Sequence, residues 1–338
     1  SIGKEIDDWT PRVGDPDPIK LFVKDEPHKN SKIAEKRFRL ISCLSLEDQC
    51  LDRWLFLDWV ETQLQHCMEI PSKTGWSPLP NGFRDYLLEM EGHGLATDCS
   101  AFDWTWKPWM VSEVLKCKLA QCRSRSVSHL TLYKRVVYLR FSQVLGPHTL
   151  ITLPNGEKYR QDFWGFMKSG WLLTISLNGD CQVVCNALAW IRYWGKQHLP
   201  PPPFPPIWVM GDDVRLRLPP EFNIPDFVEQ LSTTGLRIKE WSLRNEFAGF
   251  SFSGSLGRAT IEPLYPTKHK FILAYTGPDQ IRDSLVQMSM LYALSESNWL
   301  DPLKEEYVPY SSEVFKAWAY GLPCAKLRAN RSIWTWEF

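Results

Sequence analysis

Apolar positions recur along this chain with two distinct periods, and the period assigns the elements. From Glu47 to Gln65, Leu51, Leu55 and Trp59 return every fourth residue, the repeat of a helix with one apolar face. Leu95 to Asp98 is a short apolar strand that ends in a carboxylate. Val136 to Phe141 and Thr149 to Leu153 read as strands, and Pro154-Asn155-Gly156 turns the chain back through Glu157 to Phe163. After Ser169-Gly170, Val184, Leu188 and Ile191 define a helical stripe. Pro200 to Pro206, broken only by Phe204, predicts a stiff polyproline-like spacer, because proline has no N–H to give a helix or a central strand. Ile207 and Val209 then alternate with Trp208 and Met210, and Val214, Leu216 and Leu218 with Arg215 and Arg217. This is period two on both sides of Gly211-Asp212-Asp213, a hairpin with two carboxylates at its tip. Ile224, Phe227, Val228 and Leu231 follow at i, i+3, i+4 and i+7, a helix that Gly235 stops, and Leu236 to Trp241 resumes strand alternation.

Composition narrows the classes. At 338 residues and 44% hydrophobic, the chain can bury a sizeable core, and its length fits two domains. Lys plus Arg equals Asp plus Glu, 39 each, so any basic site must be local. Seven Lys or Arg stand against three acids from Lys20 to Arg39, and five against none from Gln121 to Arg140. Two solvated faces or a phosphate-binding channel both fit these stretches. Nine cysteines without a C-x-x-C pair suit a reduced intracellular protein better than a disulfide framework or a zinc site. Cys181 with Cys185, and Cys117 with Cys122, are expected to pack as small hydrophobes. No run of about 18 apolar residues argues for a spanning helix, and the acidic segment from Ser1 to Thr10 does not read as a targeting peptide. The chain starts at Ser1, as a processed or expressed fragment does. The absence of a Walker A loop, a G-x-S-x-G elbow and an H-E-x-x-H pair removes the usual support for ATPase, serine hydrolase and zincin chemistry.

Carboxylates at a tight strand turn repel one another unless a cation holds them, so Gly211-Asp212-Asp213 between apolar strands points to a divalent metal, with a solvated hairpin as the alternative. A second pair strengthens the metal reading. Asp98 and Asp103 have D-x4-D spacing, Asp98 at a strand end and Asp103 about a turn further, where a helix N-terminal acid is the plain explanation. Magnesium takes hard oxygen ligands, so Asp98 with Asp212, joined by Asp213, can clamp two ions roughly 4 Å apart for in-line phosphoryl transfer. In Ser169 to Asn178, Thr174 and Asn178 share a helical face and offer neutral groups that can read a sugar hydroxyl.

In this order the three segments resemble motifs A, B and C of the palm of viral RNA-dependent RNA polymerases. Lys24-Asp25-Glu26-Pro27 through Lys36-Arg37-Phe38-Arg39-Leu40-Ile41 resembles motif F, the basic fingers segment that meets the incoming triphosphate. Gly165 to Gly170, with Asp98 to Trp104, is most similar to the polymerases of sobemoviruses and their sobemo-like, barnavirus and polerovirus relatives. The resemblance covers about residues 20–253. It implies an α+β right hand with an antiparallel palm sheet flanked by helices: 1–90 fingers and fingertips with motif F, 91–115 palm, 116–164 fingers insertion, 165–255 palm, 256–338 thumb.

The resemblance also implies roles. Asp98 and Asp212 match the metal-binding acids, Asp213 the adjacent acid, and Asp103 with Asn178 the ribose-reading pair. Ser169, Gly170 and Thr174 match the loop and helix that hold template and nascent pair. Lys239 matches a motif D lysine that protonates the leaving pyrophosphate, with a surface strand lysine as the alternative, and Glu246 to Phe250 matches motif E loosely. Lys24, Lys36, Arg37 and Arg39 fall on the nucleotide side, the arginines neutralising triphosphate through their forked geometry and Lys36 facing RNA or solvent. Arg123, Arg125, Lys134 and Arg135, in the stretch ending at Arg140, are expected along the template backbone. Two Mg2+ ions are the implied cofactors, with Mn2+ able to substitute. Implied partners are template and product RNA, NTPs, a protein primer (VPg) and other viral replication proteins, with no membrane span in the chain itself. The implied setting is host cytoplasm, in replication complexes recruited to membranes. Three departures stand out: bulky Trp171 in the motif B loop, apolar Val214 after the acids, and a small thumb after Ser255. Motif F so near residue 1 suggests fingers sequence ahead of it. A reverse transcriptase and a non-catalytic RNA-binding scaffold are the competing readings; the first lacks the pairing logic of Asp103 and Asn178, and the second has no use for clustered acids.

Overall fold

The computed structural model describes residues 16–24, 30–36, 38–90 and 92–322. Strand β1 (Ile19–Val23) pairs antiparallel with β2 (Leu40–Cys43), and a short helix α1 (Asn30–Ala34) lies in their connection. Helix α2 (Leu46–Gln65) starts where the Ser45 side chain accepts from the Asp48 N–H, and it carries Glu47 and Asp48 at its positive end. Then come α3 (Phe83–Met90), β3 (Gly94–Cys99), α4 (Phe102–Thr105), α5 (Pro108–Gln121) and α6 (Val127–Leu145). A small hairpin, β4 (Leu150–Thr152) and β5 (Lys158–Arg160), joins the first sheet through a parallel β1–β4 contact. Helix α7 (Thr174–Lys196) leads through the proline spacer to β6 (Ile207–Met210), β7 (Asp213–Arg217), α8 (Ile224–Ser232) and β8 (Ile238–Ser242). The chain continues as β9 (Glu246–Phe247), β10 (Phe250–Ser255), β11 (Arg258–Pro263) and helices α9 (Pro266–Ala274), α10 (Ile281–Leu291), α11 (Asp301–Tyr307) and α12 (Ser312–Ala319). The class is α+β, with three sheets ordered β2-β1-β4-β5, β6-β7-β3-β8 and β11-β10-β9. No helix among the described residues is long and apolar enough to cross a membrane.

The sheet β6-β7-β3-β8 is antiparallel throughout and apolar on both faces. Ile207, Val209, Val214 and Leu216 join the main core with residues of α5, α7 and α8. On the other face, Trp208 packs among Trp76, Tyr86, Phe247 and Phe252. Helix α7 enters the main core through Leu177, Cys181, Cys185 and Ala189, and on its β6 side a Cβ on Gly179 would stand 3.2 Å from Val209 Cγ2. The expected stripe of Val184, Leu188 and Ile191 is instead the outer side, with Ile191 exposed. Cys181 and Cys185 are buried free thiols, as their spacing suggests.

Three further differences have physical causes. Val136 to Phe141 is helical, because Val137, Phe141, Val144 and Leu145 form an i, i+4, i+7, i+8 stripe buried in the main core, and this packing overrides the strand preference of branched and aromatic residues. Arg140 belongs to that helix and is buried, forked onto both oxygens of Asp52 (2.6 and 3.0 Å) with Asp48 beside it, so it is withdrawn from any basic surface. Arg215, on the supposedly polar side of its strand, is also buried; it bonds the Arg244 carbonyl and fits only because position 94 is glycine, whose Cβ would otherwise lie 2.6 Å from Arg215 Nε.

Candidate active site

Strand register builds the acid cluster. The β3–β7 ladder ends with Thr97 opposite Val214, so the next residues, Asp98 and Asp213, flank its open end, with Cα atoms about 5 Å apart by strand geometry. Met210 pairs with Asp213, which leaves Gly211 and Asp212 as a two-residue turn. Gly211 has φ +63°, the left-handed conformation such turns require and glycine adopts freely. Asp213 keeps solvent access but is crowded: its carboxyl is pushed up to about 6, first by desolvation, then by repulsion from Asp212 and Asp98. The donors are hard oxygens. The neighbouring Cys99 thiol is buried and pushed up to about 12, so it offers no thiolate. Hard oxygens of this kind fit magnesium, which takes one or two carboxylates and completes its shell with water and substrate phosphate.

Lys239 reaches Asp98 from the neighbouring strand, Nζ to Oδ2 2.7 Å, and also touches Glu240 at 3.1 Å. The bond to Asp98, followed by that to Glu240, raises its pKa. Gln182 braces the turn from behind by donating to the Asp212 carbonyl (3.1 Å). Sequence reasoning missed this residue, although it lies four after Asn178 on the same helical face.

Asp103 and Asn178 meet directly. Asn178 Nδ2 donates to Asp103 Oδ1 (3.1 Å), and Trp106 Nε1 donates to Asn178 Oδ1 (3.1 Å), which fixes the amide's orientation. Desolvation raises the Asp103 pKa against the Asn178 bond, with the charge on Asp212 adding to the rise and Arg39 opposing it. Asp212 and Arg39 therefore both act on this pocket. Arg39 and Lys24 are neighbours across the first hairpin, the Lys24 N–H donating to the Arg39 carbonyl (2.8 Å). Lys36 is exposed in the turn after α1, and Arg37 lies outside the described residues.

The Ser169–Gly170 turn is bound to β2. Ser169 Oγ donates to the Leu40 carbonyl (3.1 Å) and accepts from the Ser42 N–H (3.3 Å), while a Cβ on Gly170 would sit 2.0 Å from the Ser42 oxygen. Thr174 Oγ1 donates to the Lys168 carbonyl (2.6 Å) and closes the loop at the helix start. Trp171 turns its bulk inward, edge-on to Phe56 and Phe141. A 380 Å³ cavity beside Asp213 is lined by Gly249, Phe250, Tyr265 and His269, which brings the Glu246–Phe250 turn to the acids. Arg123 and Arg125 follow the C-terminal end of α5, about 20 Å of helix from its start, where the Arg123 guanidinium caps α5 through the Ala120 and Cys122 carbonyls, and Lys134 and Arg135 lie within α6.

Comparison with known proteins adds an independent line. The profile of a family described as viral RNA-directed RNA polymerase matches residues 4–77, a stretch ahead of the acid cluster. The replicase polyprotein P2AB of Cocksfoot mottle virus is 32% identical over 188 residues, 53% of this chain and 19% of that protein. Protein P1-P2 of Pea enation mosaic virus-1 is 34% identical over 178 residues, 48% of the chain and 15% of the relative. An RNA-directed RNA polymerase of Mushroom bacilliform virus is 27% identical over 241 residues, covering 70% and 54% respectively. The chain thus spans about a fifth of the polyprotein relatives and about half of the last one. Over these stretches the chain is similar to proteins named as viral replicases and RNA-directed RNA polymerases, from viruses of sobemovirus, polerovirus and barnavirus type.

Proposed function

We propose that the chain is the catalytic part of a viral replicase, built as fingers, palm and thumb, and that it extends RNA on an RNA template by two-metal phosphoryl transfer from NTPs. The observation that carries this reading is the meeting of Asp98 with the Asp212–Asp213 turn beside the bonded pair Asp103 and Asn178. Bound at the three aspartates, Mg2+ or Mn2+ would lower the pKa of the attacking hydroxyl and stabilise charge on the leaving pyrophosphate. The chain's own groups supply position and selectivity. Asp103 and Asn178 present an acceptor and an amide to the ribose hydroxyl, and a site built to bond that hydroxyl rejects a substrate lacking it. This favours ribonucleotides over the substrates of a reverse transcriptase. Lys24 and Arg39 face the triphosphate, and the Ser169 bonds to β2 make the template-side loop move with that strand. Lys239 is charged and paired with Asp98, so to protonate pyrophosphate it must exchange the carboxylate for the leaving group. A protein primer, further replication proteins and a membrane-recruited location in host cytoplasm belong to the same proposal.

Primer extension on an RNA template tests it. The Asp212→Ala protein should fold, since Gln182 holds only the backbone at that position, yet incorporate no detectable nucleotide with either metal. Extension at the wild-type rate by that variant overturns the assignment. Preference of the wild type for dNTPs would favour the reverse transcriptase.

A further inference from the structure

Lys168, immediately before the Ser169–Gly170 turn, has no part in the chemistry above, yet its side chain is fully buried at 0% exposure. Its ammonium donates to Gln161 Oε1 (2.8 Å) and to the Phe166 carbonyl (2.9 Å), and stands 4.1 Å from the Phe166 ring centroid. None of these partners is a carboxylate, so among the described residues the ion pair that ordinarily accompanies a buried lysine is missing. Desolvation pushes the amine down to about 7.

The surroundings explain why the group is tolerated there. Phe166 has φ +57°, a conformation that an aromatic L-residue holds only when its neighbours enforce it. The ammonium does so through both the carbonyl and the ring. The Phe166 ring stacks on Trp104 at 4.0 Å and 27°, and the Met167 N–H donates to the Asp103 carbonyl (2.8 Å). Gln161, the other partner of the ammonium, is tied by its amide nitrogen to the carbonyls of Leu145, Phe163 and Gly165. At its other end, the Lys168 carbonyl accepts from Thr174 Oγ1, one helical turn before Asn178. Both members of the Asp103–Asn178 pair are therefore referred to one buried side chain.

We propose that Lys168 is a positioning residue for ribose selection: by holding Phe166 against Trp104 and Gln161, it sets Asp103 and Asn178 at the spacing that recognises the nucleotide 2′-hydroxyl. The proposal rests on the polymerase reading, which supplies the nucleotide. A displacement of about 1 Å in such a site costs on the order of 100-fold in rate, so a loosened pair should lose selectivity for the hydroxyl while the acid cluster still works.

The test is single-nucleotide primer extension by the full chain, comparing kcat/KM for an rNTP with that for the matching dNTP. Lys168→Met keeps an unbranched side chain, one atom shorter, and deletes both hydrogen bonds. Phe166→Gly accepts the left-handed backbone and deletes the ring that links Lys168 to Trp104. The rNTP-to-dNTP ratio should fall by about tenfold or more in both variants, chiefly through rNTP, with dNTP incorporation within about threefold of wild type. A merely structural residue would lower both substrates together and leave the ratio alone, and an unchanged ratio in either folded variant overturns the proposal. If Lys168→Met does not fold, Phe166→Gly decides. Absence of any incorporation by the wild type would instead strike the polymerase reading, and this proposal with it.

Discussion

A lysine buried without a counter-charge must register in the pH dependence of stability. Lys168 titrates near 7 in the folded chain against 10.5 for the free side chain. Between those values the unfolded chain holds a proton that the folded chain has released, so raising the pH across the window stabilises the fold. Below about 7 both states are charged and the contribution is flat, with the burial penalty at its greatest. Urea unfolding at pH 7 and pH 9.5 should therefore show a gain in stability for wild type relative to Lys168→Met, whose curve lacks this group. Parallel pH profiles for the two proteins would mean the amine does not lose its proton in the folded state. Lys73 makes a useful contrast. It too is buried, but it is held by the Cys67, Met68 and Ile70 carbonyls just past the negative end of α2, where an ammonium is favoured. The Lys168 ammonium bonds the Gln161 side chain and the Phe166 carbonyl instead.

At the scale of elements, the packing of α6 on α2 decides what the basic stretch can do. Arg140 leaves solvent to fork onto Asp52, both side chains 2% exposed. Truncation to Arg140→Ala strands a buried carboxylate and should cost about 3–5 kcal/mol in chemical denaturation. Replacing the pair together, as Asp52→Leu with Arg140→Met, should recover part of that loss, because the most buried carboxylate is then gone and only Asp48, the more exposed of the two acids, loses its partner. A loss below about 1 kcal/mol for the single variant would show that water reaches Asp52. The same helix marks a limit of sequence pattern. Val136, Val137, Tyr138 and Phe141 carry strand preference, and only burial in the main core makes i, i+4 the period that matters. The hairpin around Gly211 was legible because two strands and a glycine turn lie within twelve residues. That Arg215 would be buried was not, since the facing wall comes from Arg244, far along the chain.

Across the whole molecule, the acids were legible as types and in order, but their meeting depends on a register that joins Asp98 to a turn more than a hundred residues later. Gln182 acts through a backbone carbonyl, for which no residue pattern exists, and Lys168, though inside the Gly165 to Gly170 segment, gives no sign in sequence that it folds back onto Gln161 and Phe166. The zero net charge, 39 against 39, has a consequence at this scale. No global field draws RNA in, so binding must come from local contacts, each of which releases counterions and steepens the fall of affinity with salt. Arg123 and Arg125 follow α5 and Lys134 and Arg135 belong to α6, outside the strands that carry the acids, and a template strand running past the nucleotide site is the ligand expected for them. If it binds them, replacing all four with glutamine should leave single-nucleotide KM unchanged while the slope of log Kd against log salt for single-stranded RNA falls by up to about 3, at roughly 0.7 per lost contact. A slope that survives the substitutions would return this patch to the status of a solvated face, with Arg123 serving only as a cap on α5, and would shift the template path to the Lys24 and Arg39 side of the molecule.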